Sequence, residues 1–256
     1  MLRAASGLKY FESGKGPETI IFHPSLGLGR FLFYRMIAPL SRSFRVVAYD
    51  PRGFGDNQAL EPNLEAWVSD VGELMASSSG PCHLIGVSLG TWVMSRAAVR
   101  WPERVGRLVL MGTTPGFADG AAAVAARHEA LRQTTMAEFA REYADSTLTR
   151  FAYAEVKDQL IEDLKRAGPD NYLEAMSAIY LADNRTVFTE IAAPTIVITG
   201  ALDTRTPPSA GEQATRLIPH STLRVVSNAG HLVLLDQPGR VEELVNAFIA
   251  GEEIDD

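Results

Sequence analysis

The chain alternates between short apolar runs and longer segments whose apolar residues recur every three or four positions. Runs that are apolar at nearly every position are typical of strands buried on both faces of a parallel sheet. Such runs occupy residues 19–22, 44–49, 83–87, 108–111, 195–198 and 223–226. A more mixed run at 8–13, followed by a Gly/Pro turn, predicts one further strand at the start.

Between the runs, three segments have the apolar spacing of a helix. They are residues 64–75, 89–99 and 241–249. Strands that alternate with helices imply parallel crossover connections. The pattern therefore predicts an α/β fold with a mostly parallel central sheet flanked by helices.

One segment, residues 117–193, interrupts this alternation. It is rich in Ala, Glu, Arg and Leu and has no strand-like run. A structureless loop of this length is improbable in a compact domain. We expect residues 1–116 and 194–256 to form the α/β core and 117–193 to form an inserted helical cap, or lid. The alternative is a long connection with no role. The acidic tail, 252–256, is expected to be a solvated end.

Charge and composition exclude several classes of protein. The net charge is −7 and no basic cluster stands out, which argues against nucleic-acid binding. The sequence contains no run of 18 uncharged apolar residues, so it predicts no membrane span. The single cysteine, Cys82, allows no intrachain disulfide and, without a signal-like N-terminus, favours a cytoplasmic protein. Cys/His spacing for zinc is also absent.

A motif for nucleophilic catalysis lies between a predicted strand and a predicted helix. Residues 86–90, Gly-Val-Ser-Leu-Gly, match G-x-S-x-G, the nucleophile elbow that presents a serine hydroxyl above a sheet edge. A serine hydroxyl needs a base to remove its proton, and the base needs an acid to orient it. Ser88 is therefore the candidate nucleophile. The alternative is a Gly/Ser turn without chemistry.

The candidate base is His231. Three histidines follow the elbow: His128, His220 and His231. His128 lies in the predicted insertion, and His220 precedes a strand, at the opposite sheet edge. His231 follows the last predicted strand, so it lies at the carboxyl edge, where Ser88 also lies and where open α/β sheets bind ligands.

The candidate acid is Asp203, because it follows the predicted strand 195–198 at the same edge. Asp119 and Asp236 remain alternatives. Asp236, just before Pro238, better fits a residue at the entry of a helix.

An oxyanion in acyl transfer is stabilised by two backbone N–H groups. One is expected from Leu89, directly after the nucleophile. The other is expected from the loop after the first apolar run, with Ser25 the first choice and Leu26 the second. Pro24 has no N–H. We interpret His23 as a structural residue that bonds the loop backbone.

Together these motifs resemble the serine-nucleophile branch of the α/β-hydrolase superfamily over nearly the whole chain. The matches are the oxyanion loop, a D-x-R-G-x-G turn at 50–55, the elbow, and closing motifs around Asp203 and His231. The likeness is greatest to 3-oxoadipate enol-lactonases and small carboxylesterases, whose oxyanion loop often reads Ser-Leu-Gly, as at 25–27. Pro24 departs from the glycine common in that loop.

The resemblance implies hydrolysis of a small carboxylic ester or lactone through an acyl-enzyme on Ser88, with no metal or organic cofactor. The alternatives are a C–C bond hydrolase of the meta-cleavage-product type and a non-catalytic ligand receptor on the same fold. Whether the protein is a monomer or a homodimer stays open. Candidate pocket residues are Leu26, Arg30, Phe117, Phe139 and Tyr143, with Phe151, Tyr153, Tyr172 and Tyr180 as further cap aromatics. Arg30 either pairs with a substrate carboxylate or is a solvated surface residue.

Overall fold

The computed structural model describes residues 1–252, and within them eight strands form one sheet. The strands are β1 (Leu2–Arg3), β2 (Lys9–Ser13), β3 (Thr19–His23), β4 (Arg45–Tyr49), β5 (Cys82–Val87), β6 (Val105–Met111), β7 (Thr195–Gly200) and β8 (Ser221–Val226). Their order is β1-β2-β4-β3-β5-β6-β7-β8. Strands β3 to β8 are parallel, and β1 and β2 extend one edge antiparallel. The fold class predicted from the sequence is confirmed; the acidic tail from residue 253 lies outside the described residues.

Helices connect the parallel strands. They are α1 (Tyr34–Leu40), α2 (Leu64–Ala76), α3 (Leu89–Arg100), α4 (Gly120–Gln133), α5 (Met136–Thr147), α6 (Ala154–Ala167), α7 (Pro169–Tyr180), α8 (Arg185–Thr189), α9 (Pro208–Leu217), α10 (Val233–Asp236) and α11 (Pro238–Ala250). The three segments with clear helical spacing correspond to α2, α3 and α11. Of the helices in residues 1–252, none has both the length and the apolar character needed to cross a bilayer.

The side chains of each central strand alternate between two apolar cores. In β3, Ile20 and Phe22 belong to one core and Ile21 to the other, and all three are fully buried. Helices α1 and α11 cover the first face of the sheet, and α2 and α3 cover the second. Because both faces of the sheet are covered, the side chains on each face of a strand must be apolar. This explains the continuous apolar runs.

Five helices, α4 to α8, lie between β6 and β7, where the sequence interrupts its alternation. Asp119 caps α4: its side chain accepts a hydrogen bond from the backbone N–H of Ala122, at 3.3 Å. Thr135 and Glu138 form a capping box at the start of α5. Asp119 is thereby used as a helix cap, and the structure does not bring it into the cluster around Ser88.

The D-x-R-G-x-G turn joins β4 to the loop that follows β3. The carboxylate of Asp50 accepts hydrogen bonds from the backbone N–H groups of Arg30, at 2.8 Å, and Asp56, at 2.9 Å. The Arg30 guanidinium pairs with the carboxylates of Asp50 and Asp56, at 2.8 Å each. The charge of Arg30 is thus neutralised by these two carboxylates, and the residue stabilises the turn.

A buried ion pair holds the same turn to α2. Arg52 donates from Nε and Nη2 to the two oxygens of Asp70, at 2.6 and 2.8 Å. The Asp70 side chain is 1% exposed. Burial raises the pKa of Asp70 even though the Arg52 hydrogen bond and charge oppose the rise. The pair therefore offsets only part of the cost of burying the carboxylate, and losing one partner leaves the other charge uncompensated.

We predict that Asp70→Ala lowers the free energy of unfolding by about 2 kcal/mol, because it leaves a mostly buried guanidinium unpaired. Urea denaturation followed by circular dichroism measures the change. Glu65→Ala is the matched control: it removes the partner of Arg100 in a pair whose side chains are 63% and 42% exposed, and we expect a change below about 0.5 kcal/mol. Equal losses in the two variants would contradict the assignment.

Candidate active site

The turn between β5 and α3 holds Ser88 in an unusual backbone conformation. Its φ is 52° and its ψ is −113°. A positive φ is rare for a residue with a side chain and is found where the surroundings enforce it. The Ser88 N–H donates to Met111 O at 2.8 Å, and its carbonyl accepts from Thr91 N at 2.9 Å. The turn is thus fixed to β6 on one side and to α3 on the other.

The two glycines of the motif are required by close backbone contacts. A Cβ on Gly86 would lie 2.5 Å from Gly90 O, and a Cβ on Gly90 would lie 2.1 Å from His23 O. Neither distance is tolerable for a real side chain, and both obstructing atoms belong to the backbone. The absence of side chains lets the start of α3 pack directly on the end of β3, which brings the predicted oxyanion loop beside Ser88.

The structure brings Ser88, His231 and Asp203 together. The His231 Nε2 lies 2.9 Å from Ser88 Oγ, and its Nδ1 lies 2.9 Å from Asp203 Oδ2. The three side chains come from the loops after β5, β8 and β7, at the carboxyl edge of the sheet. The His231 side chain is 5% exposed and that of Asp203 is fully buried. The carboxylate, imidazole and hydroxyl form one continuous hydrogen-bonded chain.

Thr206 supports this arrangement, although the sequence analysis gave it no role of its own. Its Oγ1 donates to Asp203 Oδ2 at 2.7 Å and lies 3.1 Å from His231 Nδ1, while its N–H donates to Asp203 Oδ1 at 3.0 Å. Burial by itself would raise the pKa of Asp203. The hydrogen bond and charge of His231, aided by Thr206, outweigh burial and lower that pKa. The carboxylate therefore remains ionised and accepts the Nδ1 hydrogen.

Asp236, the other alternative acid, joins two loops. Its Oδ1 accepts hydrogen bonds from Thr149 N at 2.9 Å and from Thr149 Oγ1 at 2.8 Å. Its Oδ2 accepts from Gly230 N at 2.8 Å. Gly230 directly precedes His231, so Asp236 ties the loop that carries His231 to the segment between α5 and α6. It also ends α10, just before Pro238 begins α11.

The remaining histidines that the sequence raised lie outside this cluster. His23 is fully buried and donates from Nδ1 to Pro24 O at 3.0 Å. Burial lowers the pKa of His23 to about 4, the Pro24 hydrogen bond opposing the shift, so its imidazole is neutral near pH 7. His128 is exposed on α4, and the His220 carbonyl accepts from Thr195 N at the opposite end of β7. Within residues 1–252, no three or more His, Cys, Asp or Glu side chains are grouped to hold a metal ion.

A cavity lies over Ser88 and His231, and aromatic rings form much of its wall. The rings are those of Trp92, Phe117, Tyr143, Tyr172 and Tyr180. Phe117 stacks on Tyr180, with 3.9 Å between ring centroids. Phe139 lies behind the wall, packed against Tyr143 and Tyr172. The walls are supplied both by the α/β core and by the helices between β6 and β7.

The structure separates the predicted pocket residues into two groups. Leu26, Phe117 and Tyr143 line the cavity. Arg30 does not; it lines a separate surface groove with its partners Asp50 and Asp56. The further aromatics divide in the same way: Tyr172 and Tyr180 line the cavity, while Phe151 and Tyr153 are 38% and 52% exposed.

Two of the three residues predicted to hold the oxyanion border the same space. Leu89 and Leu26 line the cavity. Ser25 is fully buried beside them, and its carbonyl accepts from Leu28 N at 3.1 Å, which closes a turn. The Ser25 hydroxyl has no hydrogen-bond partner among the described residues. Residues 24–29 of this loop carry no ionisable side chain.

Comparison with known proteins identifies the family to which this fold belongs. The family model for the alpha/beta hydrolase fold matches residues 18–238. The chain belongs to this family. It is 27% identical to 3-oxoadipate enol-lactonase 1 of Acinetobacter baylyi over 91% of this chain and 90% of that protein. A solved hydrolase from Pseudomonas aeruginosa PA01 superposes with a TM-score of 0.87, at 28% identity, over 98% of this chain and 97% of that one.

A third relative is larger. The biotin biosynthesis bifunctional protein BioHC of Teredinibacter turnerae is 28% identical over 84% of this chain. This chain spans only 40% of that protein's length. The resemblance to α/β hydrolases stated from the motifs is confirmed, and the relatives include an enol-lactonase and esterases.

We predict that His23 makes the stability of the fold depend on pH. Its pKa is about 4 in the folded chain and about 6.5 when unfolded. The unfolded chain thus binds more protons, and stability present above pH 6.5 is lost as the pH falls. Between pH 7 and pH 5, the wild-type unfolding free energy should fall by about 2 kcal/mol more than that of His23→Gln. Urea titrations at both pH values measure the difference, and parallel losses would refute it.

Proposed function

We propose that the protein is a serine hydrolase that cleaves a small carboxylic ester or lactone through an acyl-enzyme on Ser88. The observation that carries the proposal is the unbroken chain from Asp203 through His231 to Ser88, with 2.9 Å at each step. With its proton on Nδ1, held by an ionised carboxylate, His231 presents the lone pair of Nε2 to the serine hydroxyl. That is the tautomer a general base requires.

In the proposed reaction, Ser88 Oγ attacks the substrate carbonyl while its proton moves to His231 Nε2. The negative charge that develops on the carbonyl oxygen is held by the backbone N–H of Leu89 and by one from Ser25 or Leu26. His231 then gives its proton to the leaving oxygen, and the C–O bond breaks. A water molecule loses a proton to His231 and attacks the acyl carbon. His231 then returns this proton to Ser88 Oγ as the bond between Oγ and the acyl carbon breaks, which releases the acid and restores Ser88.

We further propose that residues 117–193 form a cap domain over a core of residues 1–116 and 194–256. Tyr143, Tyr172 and Tyr180, from α5 and α7, line the same cavity as Ser88 and His231. A roof of this kind excludes bulk water, which strengthens the electrostatic interactions within the site. It also limits the size of the acyl and leaving groups, in keeping with a small substrate.

Hydrolysis of a C–C bond in a ketonised dienoate uses the same three side chains, so turnover must decide between the reactions. Purified protein is assayed with p-nitrophenyl acetate, an enol-lactone and a dienoate. We expect turnover of the first two. If only the dienoate is turned over, the proposed function becomes C–C bond hydrolysis. If a fluorophosphonate fails to label Ser88, a non-catalytic ligand receptor is favoured.

We predict that Ser88→Ala lowers kcat on p-nitrophenyl acetate roughly 10⁴-fold or more, because no other group supplies the nucleophile. Steady-state kinetics and loss of fluorophosphonate labelling measure the effect. Ser95→Ala is the matched control. Its hydroxyl is buried in α3, the helix that follows Ser88, and donates to Thr91 O at 2.7 Å. We expect it to keep kcat within about threefold; a Ser88→Ala enzyme as active as this control would end the proposal.

A further inference from the structure

Arg205 is the one Asp, Glu, Lys or Arg residue in the cavity wall of the described chain. The other lining groups are hydroxyl, aromatic, aliphatic, glycyl or imidazole groups. Arg205 is half-buried. A guanidinium is charged at every physiological pH. The space over Ser88 is therefore bordered by a permanent positive charge.

Neutral groups hold that charge in place. The Arg205 Nε and Nη2 donate to Thr147 Oγ1, at 3.2 and 3.0 Å, and Nη2 also donates to Ser146 Oγ at 3.0 Å. Its Cζ lies 4.6 Å from the centroid of the Tyr143 ring. No ion pair joins Arg205 to a carboxylate within residues 1–252, whereas Arg30 has two such partners. The cation is oriented but not neutralised.

The backbone of Arg205 is tied directly to the catalytic cluster. Its N–H donates to Asp203 Oδ1 at 2.8 Å. The charge of Asp203 is engaged by His231 and Thr206 and does not neutralise the guanidinium. Through this loop the position of Arg205 is fixed relative to the imidazole, as a group that selects substrates must be.

We propose that Arg205 recognises a carboxylate on the substrate, so that the enzyme prefers esters or lactones that carry a second, free carboxylate. The inference rests on the proposed hydrolase activity. A planar guanidinium binds a carboxylate through paired, charge-assisted N–H···O bonds. The aromatic rings of the wall limit the access of water, and a site with little water strengthens such a pair. In the sequence, Arg30 is also a candidate for this role, but its charge is paired with Asp50 and Asp56. Arg205 lines the cavity, and its guanidinium has no carboxylate partner among the described residues.

A purely structural role makes a different prediction. If Arg205 only tied the end of α5 to the loop of Asp203, its loss would lower turnover of every substrate alike. If it binds a carboxylate, its loss must affect anionic substrates selectively. The ratio of kcat/KM between two matched esters, one anionic and one neutral, separates the two roles.

The experiment compares the mono-p-nitrophenyl ester of adipate with the corresponding ester of its mono-amide. The two differ only in whether the distal group is charged. We expect the wild type to favour the anionic ester at least tenfold in kcat/KM at low ionic strength. Arg205→Met should reduce this preference to within about twofold of unity while turnover of the amide ester stays within about threefold of wild type.

Two further variants keep the result interpretable. Arg205→Lys retains the charge but not the paired geometry, so it should keep part of the preference even if Arg205→Met folds poorly. Arg127→Met is the matched control. Arg127 also stacks on a cap aromatic, with Cζ 4.7 Å from the Phe139 centroid, but it does not line the cavity. Arg127→Met removes the same charge from a position outside the cavity, so it should leave the preference within about threefold of wild type.

Two results would overturn the inference: no preference in the wild type, or equal loss on both esters in Arg205→Met together with no preference in Arg205→Lys. Either result leaves the hydrolase intact, because the neutral ester is still cleaved by the wild type. If neither ester nor p-nitrophenyl acetate is cleaved, the proposed function itself fails. The failures of the two proposals are thus distinguishable.

Discussion

The site depends on the direct packing of the first turn of α3 on the end of β3. A Cβ on Gly90 would meet His23 O at 2.1 Å and Pro24 O at 2.8 Å, so only glycine permits the contact. The approach leaves Ser88 at φ 52°, and the bond from its N–H to Met111 O holds it there. The nucleophile and the loop proposed to hold the oxyanion are adjacent because of this single steric constraint. A larger residue at Gly90 would move both.

Buried carboxylates hold the surrounding loops to one another. Asp163 on α6 accepts from Gly29 N at 2.8 Å, which joins the helices between β6 and β7 to the loop after β3. Asp236 joins the segment between α5 and α6 to the loop that carries His231, because it accepts hydrogen bonds from the backbone N–H groups of Thr149 and Gly230. Burial raises the pKa of Asp163, while the Gly29 N–H and Arg166 oppose the rise. Each of these two carboxylates thus ties the proposed cap to the core next to an element of the proposed machinery.

The sequence allowed the sheet and the cluster of Ser88, Asp203 and His231 to be predicted, because each has a local signature. Continuous apolar runs follow from burial on both faces, and the elbow follows from glycines that a close contact requires. Contacts between distant segments carry no such signature. Arg205 meets Thr147 across 58 positions, and Arg30 meets Asp50 across 20. Charge alone makes the two arginines equivalent in the sequence; only their partners distinguish a cation used by the fold from one left facing the cavity.

β1 and the roles of Thr206 and Asp236 were not predicted for related reasons. The strand Leu2–Arg3 is exposed and has no apolar run, since it pairs only at the sheet edge. Thr206 and Asp236 act through hydrogen bonds whose partners are brought near by the completed fold. A hydroxyl or carboxylate in a loop is common in any sequence, and its role appears only with its acceptor or donor.

In the proposed site, the guanidinium of Arg205 has no carboxylate partner among the described residues until the substrate supplies one. Transfer of the Ser88 proton makes His231 an imidazolium, which Asp203 balances, and the oxyanion is met by backbone N–H groups. When no anion is paired with it in a cavity with aromatic walls, the guanidinium of Arg205 disfavours a second positive charge on His231. A substrate carboxylate beside Arg205 removes that penalty as the imidazolium forms. The same contact that selects the substrate therefore also favours the step in which His231 acts as the base.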